Sequence, residues 1–342
     1  MKRIKAISLL IGLLIGLLMA LPLAASAQRL SFNKQGEFKI LQFTDLHYQS
    51  QNPCSRAVLR CIEEMVDAEK PDLVIFTGDN IYSKPADEGF KNLMACIDQK
   101  KVPYVMLFGN HDEEQGMPHA EMYDLIRTGR YNIQPERGNS PSPDYVLEIT
   151  GSNGASPAAI LYCIDSHSYA KQKSIGGYAW ITFDQIAWYR QKSTSYTQAA
   201  GGNPLPALAF FHIPLPEFAT AAANEQSILI GTRMEQSCPP KLNSGLFTAM
   251  REQGDVIGIF CGHDHDNDYT LMHYDILLGY GRFSGGNTEY NHLPQGARVI
   301  VLKEGKRTFD TWIRERKGGV TNRSTYPTSY VKDNWKKRPI TE

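Results

Sequence analysis

Five apolar runs along the chain each end in a short polar block. Ile40-Leu41-Gln42-Phe43-Thr44 leads into Asp45-Leu46-His47, and Leu73-Val74-Ile75-Phe76-Thr77 into Gly78-Asp79-Asn80. Tyr104-Val105-Met106-Leu107-Phe108 leads into Gly109-Asn110-His111-Asp112, Leu208-Ala209-Phe210-Phe211 into His212, and Val256-Ile257-Gly258-Ile259-Phe260-Cys261 into Gly262-His263-Asp264-His265. Continuous apolar runs of this length read as buried β-strands. Between the first three lie stretches with helical spacing. Residues 55–69 carry Val58, Leu59, Ile62, Met65 and Val66, with Pro71 closing the helix; residues 88–99 carry Phe90, Leu93, Met94 and Ile97, with Pro103 before the next strand. Strands alternating with amphipathic helices predict a parallel sheet covered on both faces.

The later pattern is looser. Residues 138–143 are rich in Gly, Ser and Pro and read as a loop between this half and two strands at 145–149 and 159–164. A helix is expected over 183–191, capped by Asp184 and presenting Ile186, Trp188 and Tyr189. A second is expected over 242–251, opened by Asn243 or Ser244. Short strands near 269–273, 276–280, 297–302 and 308–313 have no helices between them, which predicts an antiparallel part of a second sheet. The whole reads as two stacked sheets flanked by helices in one domain, 28–316, followed by a polar, loose C-terminal tail, 317–342.

The start of the chain changes the picture of where it works. Lys2, Arg3 and Lys5 precede an apolar stretch, and Ala25-Ser26-Ala27 offers a small-residue cleavage site before Gln28. The apolar stretch is roughly 15 residues, short of the ~20 of a spanning helix. Residues 1–27 are therefore expected to be a cleaved signal peptide. The mature chain would then be exported, periplasmic or extracellular, without a stable membrane anchor. Acidic and basic residues number 36 each. That balance gives no electrostatic case for a nucleic-acid polymer. Of six cysteines, Cys163 and Cys261 sit in apolar runs and read as core thiols. Cys54 and Cys61 would lie about 10 Å apart along one helix, too far to bridge each other. Cys238 lies in a loop. The sequence sets neither a disulfide pairing nor an oligomeric state.

The five blocks carry the chemistry. In α/β sheets ligands gather at the C-terminal ends of strands, and these ends supply two Asp, one Asn and several His. That is a donor set for two metal ions, which together can neutralise a phosphate ester and provide hydroxide near neutral pH. Asp79, on a tight turn behind Gly78, is the natural bridge. Asp45 and His47, and likewise His263 and His265, are spaced to point to one side of an extended segment. Asn110 offers an amide oxygen, and His212 completes a mixed N/O set suited to iron, manganese or zinc. His111, beside Asn110, is placed to reach the ester oxygen as an acid, with Asp112 able to fix its tautomer. His167 and Arg282 are further candidates, the first to line the pocket and the second to clamp a phosphate oxygen.

This ordered set, D-x-H, G-D-N, G-N-H-D, H and G-H-x-H, resembles the calcineurin-like metallophosphoesterase family. Gly177-Tyr178-Ala179-Trp180-Ile181, Phe211-His212-Ile213-Pro214-Leu215-Pro216-Glu217-Phe218 and Gly262-His263-Asp264-His265-Asp266-Asn267-Asp268-Tyr269 resemble its branch of fungal and plant proteins related to purple acid phosphatases. The resemblance implies a four-layer α/β/β/α sandwich. It implies one metal held by Asp45, His47, Asp79 and His265 and a second by Asp79, Asn110, His212 and His263, with His111 protonating the leaving group or steadying the phosphoryl oxygens. Purple acid phosphatases carry G-D-x-x-Y, matched by Gly78-Asp79-Asn80-Ile81-Tyr82, but have no histidine where His47 stands. His47 and Tyr82 thus compete for one coordination role; His47 is favoured, with Tyr82 as a pocket wall. The expected activity is hydrolysis of a phosphorylated small molecule by in-line attack of metal-bound hydroxide, phosphomonoesters first. A phosphodiesterase or nucleotidase is the alternative among enzymes, and a non-catalytic metal-dependent scaffold the alternative outside them.

Overall fold

The computed structural model describes residues 29–140, 143–286 and 289–332. The expected signal peptide lies outside the described residues, as does the end of the chain from 333. Two mixed sheets face each other. The eight-stranded sheet runs β1 (Leu30–Ser31), β5 (Tyr145–Thr150), β6 (Pro157–Cys163), β7 (Ala207–Phe210), β9 (Val256–Cys261), β11 (Ile276–Tyr280), β10 (Thr270–His273), β8 (Leu229–Ile230). The six-stranded sheet runs β14 (Val320–Tyr326), β13 (Phe309–Glu315), β12 (Gly296–Lys303), β2 (Glu37–Phe43), β3 (Leu73–Thr77), β4 (Tyr104–Leu107). β2, β3 and β4 are parallel, as are β6, β7, β9 and β11.

Alternation along the central strands shows why both faces are apolar. Leu161 and Cys163 of β6 and Leu208 and Phe210 of β7 point into the core between the sheets. Ile160, Tyr162, Ala207 and Ala209 point the other way. A strand's side chains alternate between faces, so a strand buried on both reads as an unbroken apolar run. The outer face of the eight-stranded sheet packs against Tyr189 of α5 (Phe183–Ala199), Phe218 of α6 (Pro216–Ala223) and Leu246, Phe247 and Met250 of α7 (Leu246–Gln253). The six-stranded sheet is covered by α1 (Arg56–Glu69) and α2 (Ala86–Lys100), through Val58, Ile62, Phe90 and Leu93. The result is the α/β/β/α sandwich.

Several boundaries depart from the sequence reading. The four late strands do not share one sheet. β10 and β11 join the larger sheet, where β11 is parallel to β9, whereas β12 and β13 join the smaller. The expected loose tail instead supplies β14, antiparallel to β13. Its polar residues hide it: Ser324 is buried but bonded to the Tyr330 hydroxyl at 2.7 Å, and Asn322 Nδ2 donates to Asp268 at 3.0 Å. α5 runs on to Ala199 through a polar stretch, and its cap is Thr182 paired with Gln185. α7 starts at Leu246 behind Gly245, four residues later than expected. Within the described residues no helix is long and apolar enough to cross a membrane.

Candidate metal centre

The five blocks follow the C-terminal ends of β2, β3, β4, β7 and β9, three strands from one sheet and two from the other. Main-chain and side-chain bonds stitch these ends together. The amide of Asp45 donates to the Gly78 carbonyl at 3.1 Å and that of His47 to the Asp79 carbonyl at 2.9 Å. Buried Gln42 Nε2 donates to Thr77 Oγ1 on the neighbouring strand at 2.9 Å and, across the sheets, to the Cys261 carbonyl at 3.0 Å. The His263 amide donates to the Asp45 carboxylate at 3.0 Å.

The backbone that presents the donors is strained. Extended geometry was expected around Asp45 and His47, but their φ values are +54° and +44°; Asp79 and His263 stand at +50° and +79°. For a residue with a Cβ this left-handed region costs of order 1–2 kcal/mol, and such strain collects at functional sites. Glycines make the close approach feasible. A Cβ on Gly78, itself at φ +91°, would lie 2.6 Å from His212 Cγ; one on Gly109 would lie 2.2 Å from Asp79 Oδ1.

The donors converge in adjoining groups. Asp45, His47 and His265 bring one ligand atom each to within 4.8 Å of one another, and so do Asp79, His212 and His263. Asp79 Oδ2 lies between the groups, 3.1 Å from His212 Nε2 and 3.8 Å from His47 Nε2. His47 Nε2 and His265 Nε2 are 3.1 Å apart. Metal–nitrogen bonds of about 2.1 Å place neighbouring ligand atoms about 3.0–3.4 Å apart, so these separations fit shared cations. Tautomers agree. His212 Nδ1 faces the Thr77 carbonyl at 2.8 Å and His265 Nδ1 the Tyr290 carbonyl at 2.9 Å, which leaves each Nε2 lone pair for the centre. Asn110 Oδ1 is buried without a hydrogen-bond partner, as an amide oxygen awaiting a cation would be.

Burial and mutual charge push the groups of this centre in different directions, and burial raises the Asp45 carboxyl. Burial works against charge on Asp79, but the facing His212, His47 and His111 outweigh it and hold its carboxyl well below the usual range. Burial would depress His212 too, yet Asp79 pushes it up to about 9. His47 and His263 are held well below the ordinary imidazole value by burial.

His111 sits at the open side, its side chain 27 % exposed, while Asp45, His47, Asp79, Asn110, His212, His263 and His265 are all buried. A ring nitrogen of His111 joins His47 and Asp79 in a third such group. Its partner is not Asp112. The Asp112 carboxylate accepts from the amides of Gly109 and Ile81 at 2.9 and 3.0 Å and from Asn80 Nδ2 at 3.1 Å, latching the two turns together. His111 Nδ1 instead meets Glu114 Oε2 at 2.8 Å, and Glu114 Oε1 accepts from the Tyr169 hydroxyl at 2.6 Å. Glu114 follows His111 by three residues at the end of α3 (Asn110–Glu113), a spacing that puts side chains together on a helical turn. That spacing was the available signal.

The other candidates divide. Tyr82 packs edge-on to His111 and His47, with ring centroids 5.3 and 6.2 Å away. Arg282 is no phosphate clamp. Its guanidinium is buried on Asp268 and also donates to the Pro294 carbonyl at 2.7 Å. His167 lies outside the donor groups, held by Gln185 Oε1 at 2.8 Å, and lines a neighbouring cavity. The sequence reading missed three rim tyrosines: Tyr169, bonded to Asn110 Nδ2 at 3.3 Å; Tyr178, 4.4 Å from the His263 ring; and Tyr290, stacked on His265 at 4.4 Å.

Comparison with known proteins supplies the family. The chain is 30% identical over 344 residues to the probable inactive purple acid phosphatase 29 of Arabidopsis thaliana, covering 89% of this chain and 87% of that one. It is 29% identical to Phosphatase DCR2 of Saccharomyces cerevisiae, covering 86% of this chain and 56% of that one. A dimetal phosphatase from Danio rerio shares the fold, with a TM-score of 0.56 at 13% identity over 84% of this chain and 98% of that one. Residues 38–267 match the family described as calcineurin-like phosphoesterase, and the chain belongs to that family.

Proposed function

We propose that the protein is an exported binuclear-metal phosphoesterase with a preference for phosphomonoesters. One observation carries this reading: Asp79 Oδ2 sits between two groups of buried donors, 3.1 Å from His212 Nε2 and 3.8 Å from His47 Nε2. Asp45, His47, Asp79 and His265 would hold one cation, and Asp79, Asn110, His212 and His263 the other. Cations there would neutralise phosphoryl charge and supply a nucleophile at neutral pH; the N/O donors accept iron, manganese or zinc.

The chain's own residues do the rest. Glu114 holds Nδ1 of His111, so the ring offers its other nitrogen to the oxygen of the departing alcohol. Asp112 fixes the turn that carries Asn110 and His111. Tyr82 and Tyr169 wall the open side and limit water. Preference for monoesters is supported by the yeast relative named a phosphatase. Export rests on the basic and apolar start of the sequence and its Ala25-Ser26-Ala27 site.

The test is hydrolysis of a chromogenic phosphomonoester and a phosphodiester by protein loaded with manganese, zinc or iron. Turnover of the diester alone would move the reading to a phosphodiesterase. No turnover of either, with the metals shown bound by elemental analysis, sinks the enzymatic reading. The name "probable inactive" on the Arabidopsis relative favours a second reading, a metal-dependent scaffold. His111→Ala separates the two, since it cuts turnover sharply in an enzyme and leaves partner binding intact in a scaffold.

A further inference from the structure

Beside the metal centre lies a cavity of about 750 Å³. That volume falls in the range of small-molecule sites. Two loops build it. Met117 and Pro118 come from the segment after α3, and Tyr169, Lys171 and Gln172 from a hairpin that leads to Trp180. The hairpin is held by the Ala170 amide on the Gly177 carbonyl and the Ala179 amide on the Ser168 carbonyl, both at 2.9 Å, and by the stack of Tyr169 on Tyr178 at 5.6 Å.

The cavity and the centre share a wall. Tyr169 lines the cavity, while its hydroxyl meets Asn110 Nδ2 at 3.3 Å and Glu114 Oε1 at 2.6 Å. Ser168 also lines it, with Oγ 3.5 Å from the Asn110 carbonyl. Tyr169 thus stands between the donor Asn110 and the cavity, and an ester with its phosphoryl group at the donors can extend its alcohol past Tyr169 into it. A cavity of about 800 Å³ at the β1–β5 edge contains none of the candidate donors or their bonded neighbours. A smaller one beyond Tyr82, about 420 Å³, has Tyr82 as the single aromatic residue among its described lining residues.

The walls indicate what fits. Trp180 and Tyr169 supply two aromatic side chains and Met117 and Pro118 apolar ones, set among polar and charged groups that include Glu113, Asp165 and the exposed Lys171. Resting on the phosphoesterase reading, we propose that this cavity is the alcohol-side subsite and selects phosphate esters whose alcohol carries a planar aromatic ring, aryl or nucleoside.

The test compares adenosine 5′-monophosphate, phenyl phosphate and glycerol phosphate as substrates of the metal-loaded protein. Stacking on one aromatic side chain is worth about tenfold in affinity. Trp180→Ala should therefore raise KM about tenfold for the aromatic esters the cavity accepts, with glycerol phosphate nearly unchanged. Gln172→Trp, which fills the cavity from an exposed position, should act in the same direction and covers the case in which Trp180→Ala does not fold. Equal effects on all three esters, or none, overturn the proposal. Calorimetry with adenosine and with phenol reads the cavity without turnover. If no ester is hydrolysed but one of these binds and Trp180→Ala or Gln172→Trp abolishes binding, the phosphoesterase reading falls and the cavity stands. If esters are hydrolysed but neither alcohol binds, the cavity assignment falls alone. The ligand that binds decides between nucleoside and aryl.

Discussion

Glu114→Gln isolates the charge that holds the acid in place. Glu114 Oε2 meets His111 Nδ1 at 2.8 Å and Oε1 accepts from the Tyr169 hydroxyl at 2.6 Å. Gln has the same length and still offers one oxygen, so the ring keeps its seat but loses its ionic partner. A hydrogen bond to a charged group contributes about 1.5–3 kcal/mol. The Glu114 side chain is 34 % exposed, and solvent screening reduces that contribution. About 1 kcal/mol remaining corresponds to roughly a fivefold loss of rate when proton donation limits turnover. The assay is kcat with two esters of different leaving group. Phenyl phosphate needs a proton on departure, whereas p-nitrophenyl phosphate releases a stabilised anion. The expected outcome is a loss of about fivefold for the first and little change for the second. Equal losses on both, or no loss, refute the assignment of Glu114 to His111. Glu114→Leu should deepen the loss on phenyl phosphate, because Nδ1 then has no acceptor.

Four further outcomes follow from other parts of the structure. Gly109→Ala forces a Cβ to 2.2 Å from Asp79 Oδ1, an overpacking of about 1–3 kcal/mol; metal content per chain should fall, measured by elemental analysis, in a protein that still folds. Arg282→Met leaves the Asp268 carboxylate buried without its guanidinium, which should destabilise by about 3–5 kcal/mol in denaturant melts yet leave KM for a phosphate ester unchanged; a raised KM would restore Arg282 as a phosphate clamp. Metal at one hundred times its dissociation constant should stabilise by about 2.7 kcal/mol, seen as a higher melting temperature, and Asp79→Asn should remove most of that rise. Burial alone would raise Glu69, but bonds from Arg314 and Trp312 and the charge of Lys39 hold it below the ordinary 4.5. Its stabilisation is therefore present above that ordinary value and lost as pH falls through the depressed one, and Glu69→Gln should flatten the acid side of the stability curve.

What the sequence shows about the site and what it hides have the same physical origin. The donors stand out because each follows a strand buried on both faces, and such a strand writes itself as an apolar run whose end is abrupt. Asp45, Asp79, Asn110, His212 and His263 are the first polar residues past those ends or within two of them, so topology alone carries them to one edge of the sandwich. Residues whose role depends on a partner elsewhere leave no comparable trace. Arg282 and Asp268 are both charged and both buried, and only the three-dimensional pairing turns a candidate phosphate clamp into a structural tie. β14 conceals itself in the same way, since Asn322 and Ser324 are satisfied by Asp268 and Tyr330 rather than by apolar packing. The exchange of roles between Asp112 and Glu114 is the sharpest case. Adjacency in sequence favours Asp112 as the partner of His111, but adjacent residues on a helical turn point about 100° apart, whereas residues three apart share a face. The turn therefore aims Asp112 inward, onto the amides of Gly109 and Ile81, and leaves Glu114 outside beside the imidazole. A G-N-H-D block thus reports where the centre lies, while the geometry of the turn behind it decides which carboxylate steers the acid.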